Sequence, residues 1–389
     1  MWVLIVIIIV IIFFLIKQKL ETDPIDHTYP HRLANIDFYN HGEELYDQYF
    51  KDIQSATQFV CVSFFIVKSD HFSETFFKLL SDASSRGVEV YLLVDRLGSF
   101  AIRRKDREDL KKAGVQIEYS NRFNILSPLR SFNRRNHRKI SIIDGRIAYI
   151  GGYNIGDEYI NQNSKFSFWR DYHLRLQGDV VKDVLDLFKQ DWEQNTYEAL
   201  EINSNVDITG HYRCQLIPTS NGKLQETFLN LVRQAESRIA IGSPYFIPNK
   251  KLLDLLEKKL AQGIKVQIIY PHDSDHILVK EASAPFLSRL HRAGAEVRLF
   301  QEGFYHAKAI FIDDKVCDIG TANFDRRSLY FNHEVNLLMY DQELVRKLYT
   351  YYEQDFNYAT PIYEEWYEYP NSKTHIVKKI LAKWFHPLL

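Results

Sequence analysis

Short apolar blocks separated by amphipathic stretches set the plan of this chain. Residues 59–67 (FVCVSFFIV) form a run of β-branched and aromatic side chains, which predicts a buried strand. Residues 74–85 carry a helical pattern that stops at Arg86-Gly87. Residues 88–95 (VEVYLLVD) predict another buried strand, 105–113 a helix closed by Gly114, and 115–119 a strand. The second half repeats this order. Strands are predicted at 238–246, 264–271 and 295–300, with helices at 249–261 and 279–293 between them. Apolar strands alternating with helices imply an α/β fold.

Anchor pairs align the halves. Phe65 and Phe246 lie 181 positions apart, and Gly87 and Gly263 lie 176 apart. The offset narrows only across loops, as an old duplication would leave it. The domain plan that follows is a repeat over 37–203 and a second over 204–365. Residues 18–36 are polar, contain Pro24 and Pro30, and read as a linker.

Both ends depart from this plan. Residues 1–16 (MWVLIVIIIVIIFFLI) contain no charged side chain, and Lys17 and Lys19 follow directly. As a helix this run spans roughly 24 Å, slightly less than a bilayer core. Neither the basic start nor the small-residue cut site of a signal peptide is present. Residues 1–17 therefore read as a single membrane anchor, and the flanking lysines place the rest of the chain on the cytoplasmic side. Residues 372–389 form a tail in which Ile376, Val377, Ile380, Leu381 and Trp384 share one helical face with lysines elsewhere. That pattern fits interfacial binding, and it fits docking on the chain's own domain equally well.

Composition adds exclusions. A net charge of −1 gives no support to nucleic-acid binding. Cys61, Cys214 and Cys317 match neither a disulfide framework nor zinc spacing and read as buried thiols.

The candidate chemistry lies in the repeat. His137-x-Lys139-x4-Asp144 recurs as His306-x-Lys308-x4-Asp313, 169 positions later. The match extends to Gly151, Gly152 and Asn154 against Gly320, Thr321 and Asn323. Two extended copies in register suggest one active centre built from both halves. On a strand, His137 and Lys139 share a face, as do His306 and Lys308. Asp144-Gly145 is a hairpin-turn dipeptide, so Asp144 and Asp313 are expected to brace turns although they belong to the motif. Asp171 and Glu334 follow at a distance and suit the role of carboxylates that orient histidines.

Two histidines, two lysines, two asparagines and two carboxylates suit phosphodiester chemistry without a metal or cofactor. One neutral histidine attacks phosphorus and the other serves as acid and base. Lys139, Lys308, Asn154 and Asn323 donate to the non-bridging oxygens. Paired ammonium groups argue against a metal at the same place.

These motifs resemble the duplicated HKD motif of the phospholipase D superfamily, over roughly residues 37–341. The stretches 149–159 (YIGGYNIGDEY), 243–248 (SPYFIP), 303–308 (GFYHAK) and 320–328 (GTANFDRRS) resemble bacterial cardiolipin synthases more specifically. So does the terminal Pro387-Leu388-Leu389. The resemblance implies two phospholipase D-like domains packed as a pseudo-dimer around one site. It implies transfer of a phosphatidyl group between two phosphatidylglycerol molecules at the bacterial cell membrane, with His137 as nucleophile and His306 as acid/base. The catalytic set so implied is His137, Lys139, Asp144, His306, Lys308 and Asp313. The chain departs from the family at its single apolar segment, where two are usual, and at residues 217–220 (IPTS). The motifs alone leave hydrolysis by a phospholipase D-type enzyme open, and a non-catalytic membrane scaffold is a further alternative. They do not identify protein partners.

Overall fold

A computed structural model describes residues 28–121, 133–162, 165–204, 206, 209–220 and 223–367. The anchor at 1–17 and the tail at 372–389 lie outside these residues. Among the described residues no helix is long and apolar enough to cross a membrane.

The first half runs β1 (His31–Tyr39), α1 (Gly42–Gln54), β2 (Phe59–Phe64), α2 (His71–Ser85), β3 (Glu89–Asp95), α3 (Arg104–Lys112) and β4 (Gln116–Ser120). It continues with β5 (Ile140–Ile143), β6 (Ile147–Gly151), β7 (Trp169–Arg170), β8 (His173–Gly178) and α4 (Val180–Thr196). The second half repeats the order as β9 (Tyr212–Thr219), α5 (Lys223–Gln234), β10 (Arg238–Gly242), α6 (Lys250–Ala261), β11 (Lys265–Pro271), α7 (Val279–Arg292) and β12 (Glu296–Phe300). Then come β13 (Phe304–Tyr305), β14 (Ala309–Ile312), β15 (Val316–Gly320), α8 (Arg326–Tyr330), β16 (Glu334–Met339), α9 (Gln342–Tyr358), β17 (Thr360–Pro361) and α10 (Glu364–Tyr367).

Fifteen strands join in one sheet, ordered β17-β12-β11-β10-β14-β15-β16-β9-β1-β8-β6-β5-β2-β3-β4. Equivalent strands fall on opposite sides of the β9–β1 seam, which gives the sheet a pseudo-twofold centre. The seam is antiparallel, pairing Arg32 with Cys214. A core shared by both halves lies against it and includes Leu174, Leu176, Phe188, Leu216, Leu337 and Met339. All three cysteines are buried.

Three expectations need correction. Residues 31–36 are not linker but the first six of the nine residues of β1, a strand at the middle of the sheet. Their polar content comes from the outward positions of a half-buried strand, while Ala34 and Ile36 face the core. The second repeat extends to Tyr367, because Trp366 and Tyr367 of α10 are buried in its core. The motif histidines and lysines precede strands β5 and β14 and are not part of them. Their backbone bonds cross between halves: His137 N donates to His333 O at 2.9 Å, and His306 N donates to Arg170 O at 2.7 Å.

Candidate active site

Strands β2, β3 and β4 run parallel, as do β10, β11 and β12. In each half the carboxyl end of the first of these strands leads to its own motif histidine: Phe65, just after β2, stands against His137, and Gly242, ending β10, lies against Tyr305 beside His306, the strand end at which open α/β sheets place ligand sites. His137 and His306 meet there, each delivered by the segment before a strand.

The two halves exchange carboxylates. His137 Nδ1 lies 2.8 Å from Oε2 of Glu334 in the second half. His306 Nδ1 lies 2.5 Å from Oδ2 of Asp171 in the first. A carboxylate at Nδ1 fixes the ring and leaves Nε2 as the atom offered to a substrate. The exchange has a backbone cause. Strand β13 pairs in parallel with β7, setting Tyr305 opposite Arg170, and Asn136 bridges to His333 in the same manner. Each histidine is thus one residue along from a backbone contact with the other half's carboxylate segment.

Aromatic rings wall both imidazoles. Phe65 stands edge-on to His137 with centroids 4.9 Å apart, and Trp169 lies 4.9 Å from His306. Lys139 Nζ donates to His137 O at 2.8 Å. Lys308 Nζ donates to His306 O and lies 2.7 Å from His306 Nδ1. Burial pushes Lys139 down to about 7 and Lys308 to about 8, even though Glu334 and Asp171 oppose the shift. Burial also lowers His137 to about 4 against the pull of Glu334. Burial and the nearby Lys308 hold His306 well below the ordinary imidazole range. At neutral pH both rings are uncharged, and two lysines face two carboxylates.

The carboxylates are not equivalent. Burial lifts Asp171 to about 6, although Lys308 opposes it. Burial acts on Glu334 in the same sense, but His137 and its hydrogen-bond donors draw it below the usual carboxylate range. Thr321 Oγ1 donates to Glu334 Oε2 at 2.6 Å, Ser328 Oγ to Oε1 at 2.8 Å, and Asn332 Nδ2 to Oε1 at 3.2 Å. In the first half the counterpart of Thr321 is Gly152. A Cβ there would lie 2.0 Å from Asp171 Oδ1, so the glycine makes room for the carboxylate.

The motif aspartates sit at the far ends of their strands. Asp144 accepts from the backbone nitrogens of Thr57, Gln58 and Phe59 and from Thr57 Oγ1, at 2.8–3.0 Å. Asp313 accepts from the backbone nitrogens of Glu236, Ser237 and Arg238 and from Ser237 Oγ. Both have positive φ, 51° and 53°. They tie hairpin turns to the starts of β2 and β10 and do not reach the imidazoles, so their place in the catalytic set implied by resemblance does not fit this geometry.

The asparagines also differ. Asn154 Oδ1 accepts from Ile66 N at 3.1 Å and holds the loop that carries Phe65. Asn323 is buried, its backbone N donates to Ser328 Oγ at 3.1 Å, and its Oδ1 has no hydrogen-bond partner among the described residues. Among the described residues no group of three or more metal-ligating side chains is placed to hold an ion. Sequence reasoning missed Thr321, Ser328 and Asn332 as supports of Glu334. Only Thr321 carried a signal, through its alignment with Gly152.

Comparison with known proteins agrees with this layout. A family model described as "Cardiolipin synthase, PLD-like domain" matches residues 49–192 and 228–356. Minor cardiolipin synthase ClsB of Bacillus subtilis is 38% identical over 325 residues, covering 83% of this chain and 81% of that protein. Major cardiolipin synthase ClsA of the same organism is 34% identical over 346 residues, covering 86% and 72%. The crystal structure of a phosphatidylserine synthase from Haemophilus influenzae superposes with a TM-score of 0.74 at 17% identity, covering 93% and 97%, which establishes a shared fold.

Proposed function

Because the chain belongs to the cardiolipin synthase family built on the phospholipase D-like domain, we propose that it joins two phosphatidylglycerol molecules into cardiolipin and glycerol through a covalent phosphohistidine. It is a phosphatidyltransferase, a membrane-associated lipid enzyme. The observation that carries the mechanism is the pair of imidazoles, each tied at Nδ1 to a carboxylate of the other half.

His137 is the nucleophile. Its ring is neutral and oriented by a firmly ionised Glu334, so Nε2 attacks phosphorus. The bond to the departing glycerol oxygen breaks, and His306 supplies its proton. With neutral rings, and with Lys139 and Lys308 in their charged forms, the two lysines balance Asp171 and Glu334. A phosphodiester brings one negative charge, and a proton on His306 restores the balance, so substrate binding itself arms the acid. The hydroxyl of a second phosphatidylglycerol then gives its proton to His306 and attacks phosphorus, which frees His137. Lys139, Lys308 and Asn323 donate to the non-bridging oxygens, where transition-state charge collects. Asn154, Asp144 and Asp313 act through the loops and turns they hold.

The apolar residues 1–17 are read as a single anchor with the two domains on the cytoplasmic side, from the flanking lysines. The test of function is the full-length chain incubated with labelled phosphatidylglycerol in mixed vesicles. Cardiolipin and glycerol should appear in equal amounts, and H137A should yield neither. Phosphatidic acid in place of cardiolipin would overturn the reading in favour of hydrolysis.

A further inference from the structure

Two loops leave the carboxyl ends of parallel strands, each close to the histidine of its own half: the first rests on Phe65 beside His137, and Asp275 of the second lies within electrostatic reach of His306. The first, residues 96–103, follows β3. The second, residues 272–278, follows its counterpart β11. Each exposes one large apolar side chain at its tip: Phe100 is 79% exposed and Ile277 is 81% exposed. Leu97 adds a further apolar surface at 41%.

Neither tip belongs to a slack loop. Ser99 is buried, its Oγ donates to Phe65 O at 3.0 Å and accepts from Val67 N at 2.9 Å. Gly98 lies so close to Phe65 that a Cβ would come within 2.2 Å of its carbonyl oxygen. Ile102 is buried on the other side of Phe100. The base of this loop therefore rests on the same Phe65 that walls His137. In the second loop Asp275 Oδ2 accepts from Tyr245 OH at 2.6 Å, and Asp275 O accepts from Lys165 Nζ at 3.0 Å. Leu278 takes a left-handed φ of 72°, a conformation that a bulky side chain adopts only when its surroundings impose it. Leu278 packs against the small cluster of Ile247 and Ala282, and Ile277 points outward.

A firmly held loop that presents an apolar side chain to water incurs a hydration cost unless something covers it. The surroundings point to what that is. Residues 96–105 carry Arg96, Arg103, Arg104 and Lys105 and no carboxylate. Arg103 pairs with Asp106 and Glu74, and Arg104 with Glu108, all at the exposed surface where such pairs are weak and screened. The Phe100 tip within its basic rim matches an anionic phospholipid surface, where cations meet headgroups and the aromatic ring enters the acyl boundary, while the Ile277 loop, which carries Asp273 and Asp275, contributes its apolar side chain alone.

We propose that Phe100 and Ile277 are twin membrane-docking tips that seat the mouth of the active site on an anionic bilayer, so that a lipid headgroup reaches His137 without leaving the membrane. The proposal deepens the lipid-transfer reading and rests on it for the choice of occupant. The tips work independently of any anchor elsewhere in the chain, since they position the site and do not merely tether it.

The test uses the full-length chain, in which the three native cysteines are buried and a single added cysteine can be labelled. F100C, I277C and Y197C each carry an environment-sensitive fluorophore. Tyr197 is 91% exposed beside the start of β4, at the opposite end of the strands. On phosphatidylglycerol vesicles containing nitroxide-labelled lipid, probes at 100 and 277 should shift to the blue and be quenched several-fold more than the probe at 197. Quenching at 100 and 277 no greater than at 197 overturns the proposal, as does shielding of those probes by self-association in lipid-free detergent. This readout needs no turnover, so it separates from failure of the transfer reading itself. A double variant, F100S/I277S, should raise the apparent KM on phosphatidylglycerol vesicles about tenfold while turnover of a short-chain, monomerically dispersed phosphatidylglycerol stays within about twofold. Equal loss on both substrates also counts against it.

Discussion

His137 of the first half is held at 2.8 Å by Glu334 of the second. The nucleophile's orientation is therefore set across the repeat boundary, and so is that of His306 through Asp171. Glu334→Gln keeps the shape but removes the charge that stabilises the imidazole, so kcat for cardiolipin formation should fall roughly 10²- to 10⁴-fold while the melting temperature changes little. Steady-state turnover on phosphatidylglycerol vesicles beside a thermal melt decides it. A loss under threefold would mean that Glu334 does not orient the nucleophile.

The division of labour between the histidines can be trapped. With phosphatidylglycerol labelled at phosphorus, rapid quenching should recover protein-bound label that survives alkali and is lost in acid. His137→Ala should abolish it. His306→Ala should retain labelling at a reduced rate, because it lacks only the acid. Labelling that survives in the His137 variant and vanishes in the His306 variant would reverse the assignment.

Gly152 lies against the Asp171 carboxylate, with a Cβ position 2.0 Å from Oδ1. Gly152→Ala should displace Asp171 from His306 and lower kcat roughly 10- to 100-fold, the usual cost of disturbing a group that orients another. The pH profile of kcat should shift with it, which simple local unfolding would not produce. Activity equal to the parent would show that the site accommodates the methyl group without moving Asp171.

Asp313 accepts four hydrogen bonds, three from backbone nitrogens at the start of β10. Asp313→Ala leaves those donors unmet and should cost about 2–4 kcal/mol of stability. Specific activity of the folded fraction should stay within a few-fold of the parent. Although burial opposes it, the backbone donors hold this carboxyl below its ordinary value. Its contribution is thus present above the unfolded pKa and is lost as the pH falls through the lower folded value. Denaturant melts of parent and variant at neutral and acid pH measure both effects.

The lysines give the reaction an alkaline limit. Burial lowers Lys139 to about 7 and Lys308 to about 8, so the free enzyme loses its phosphate-facing charges as the pH rises through that window. kcat/KM should fall across about pH 7–8. kcat at saturating lipid should hold to higher pH, because a bound phosphodiester favours the charged ammonium forms. Coinciding profiles for both parameters would refute this account.

The alternation of apolar blocks and helices made the α/β class and the duplication legible, because burial on both faces of a strand leaves a mark in every residue of the run. The histidines and lysines were legible for a similar reason: the same short spacing occurs twice. Residues 31–36 were misread as linker because a half-buried strand shows only alternate apolar positions, and proline lies just before it. The turn-bracing place of Asp144 was legible from the Asp-Gly dipeptide it opens, and that of Asp313 from its match in the repeat, even though the histidines and lysines precede the strands on which they were expected. Which carboxylate serves which histidine was not legible. Asp171 lies 34 residues beyond His137 and Glu334 lies 28 beyond His306, so chain order alone would pair each within its own half. The crossed pairing, the support of Glu334 by Thr321, and the room Gly152 leaves for Asp171 all depend on where the two halves meet. Local sequence fixes which face a side chain takes on its own strand. Only the packing of one half against the other decides what it meets there.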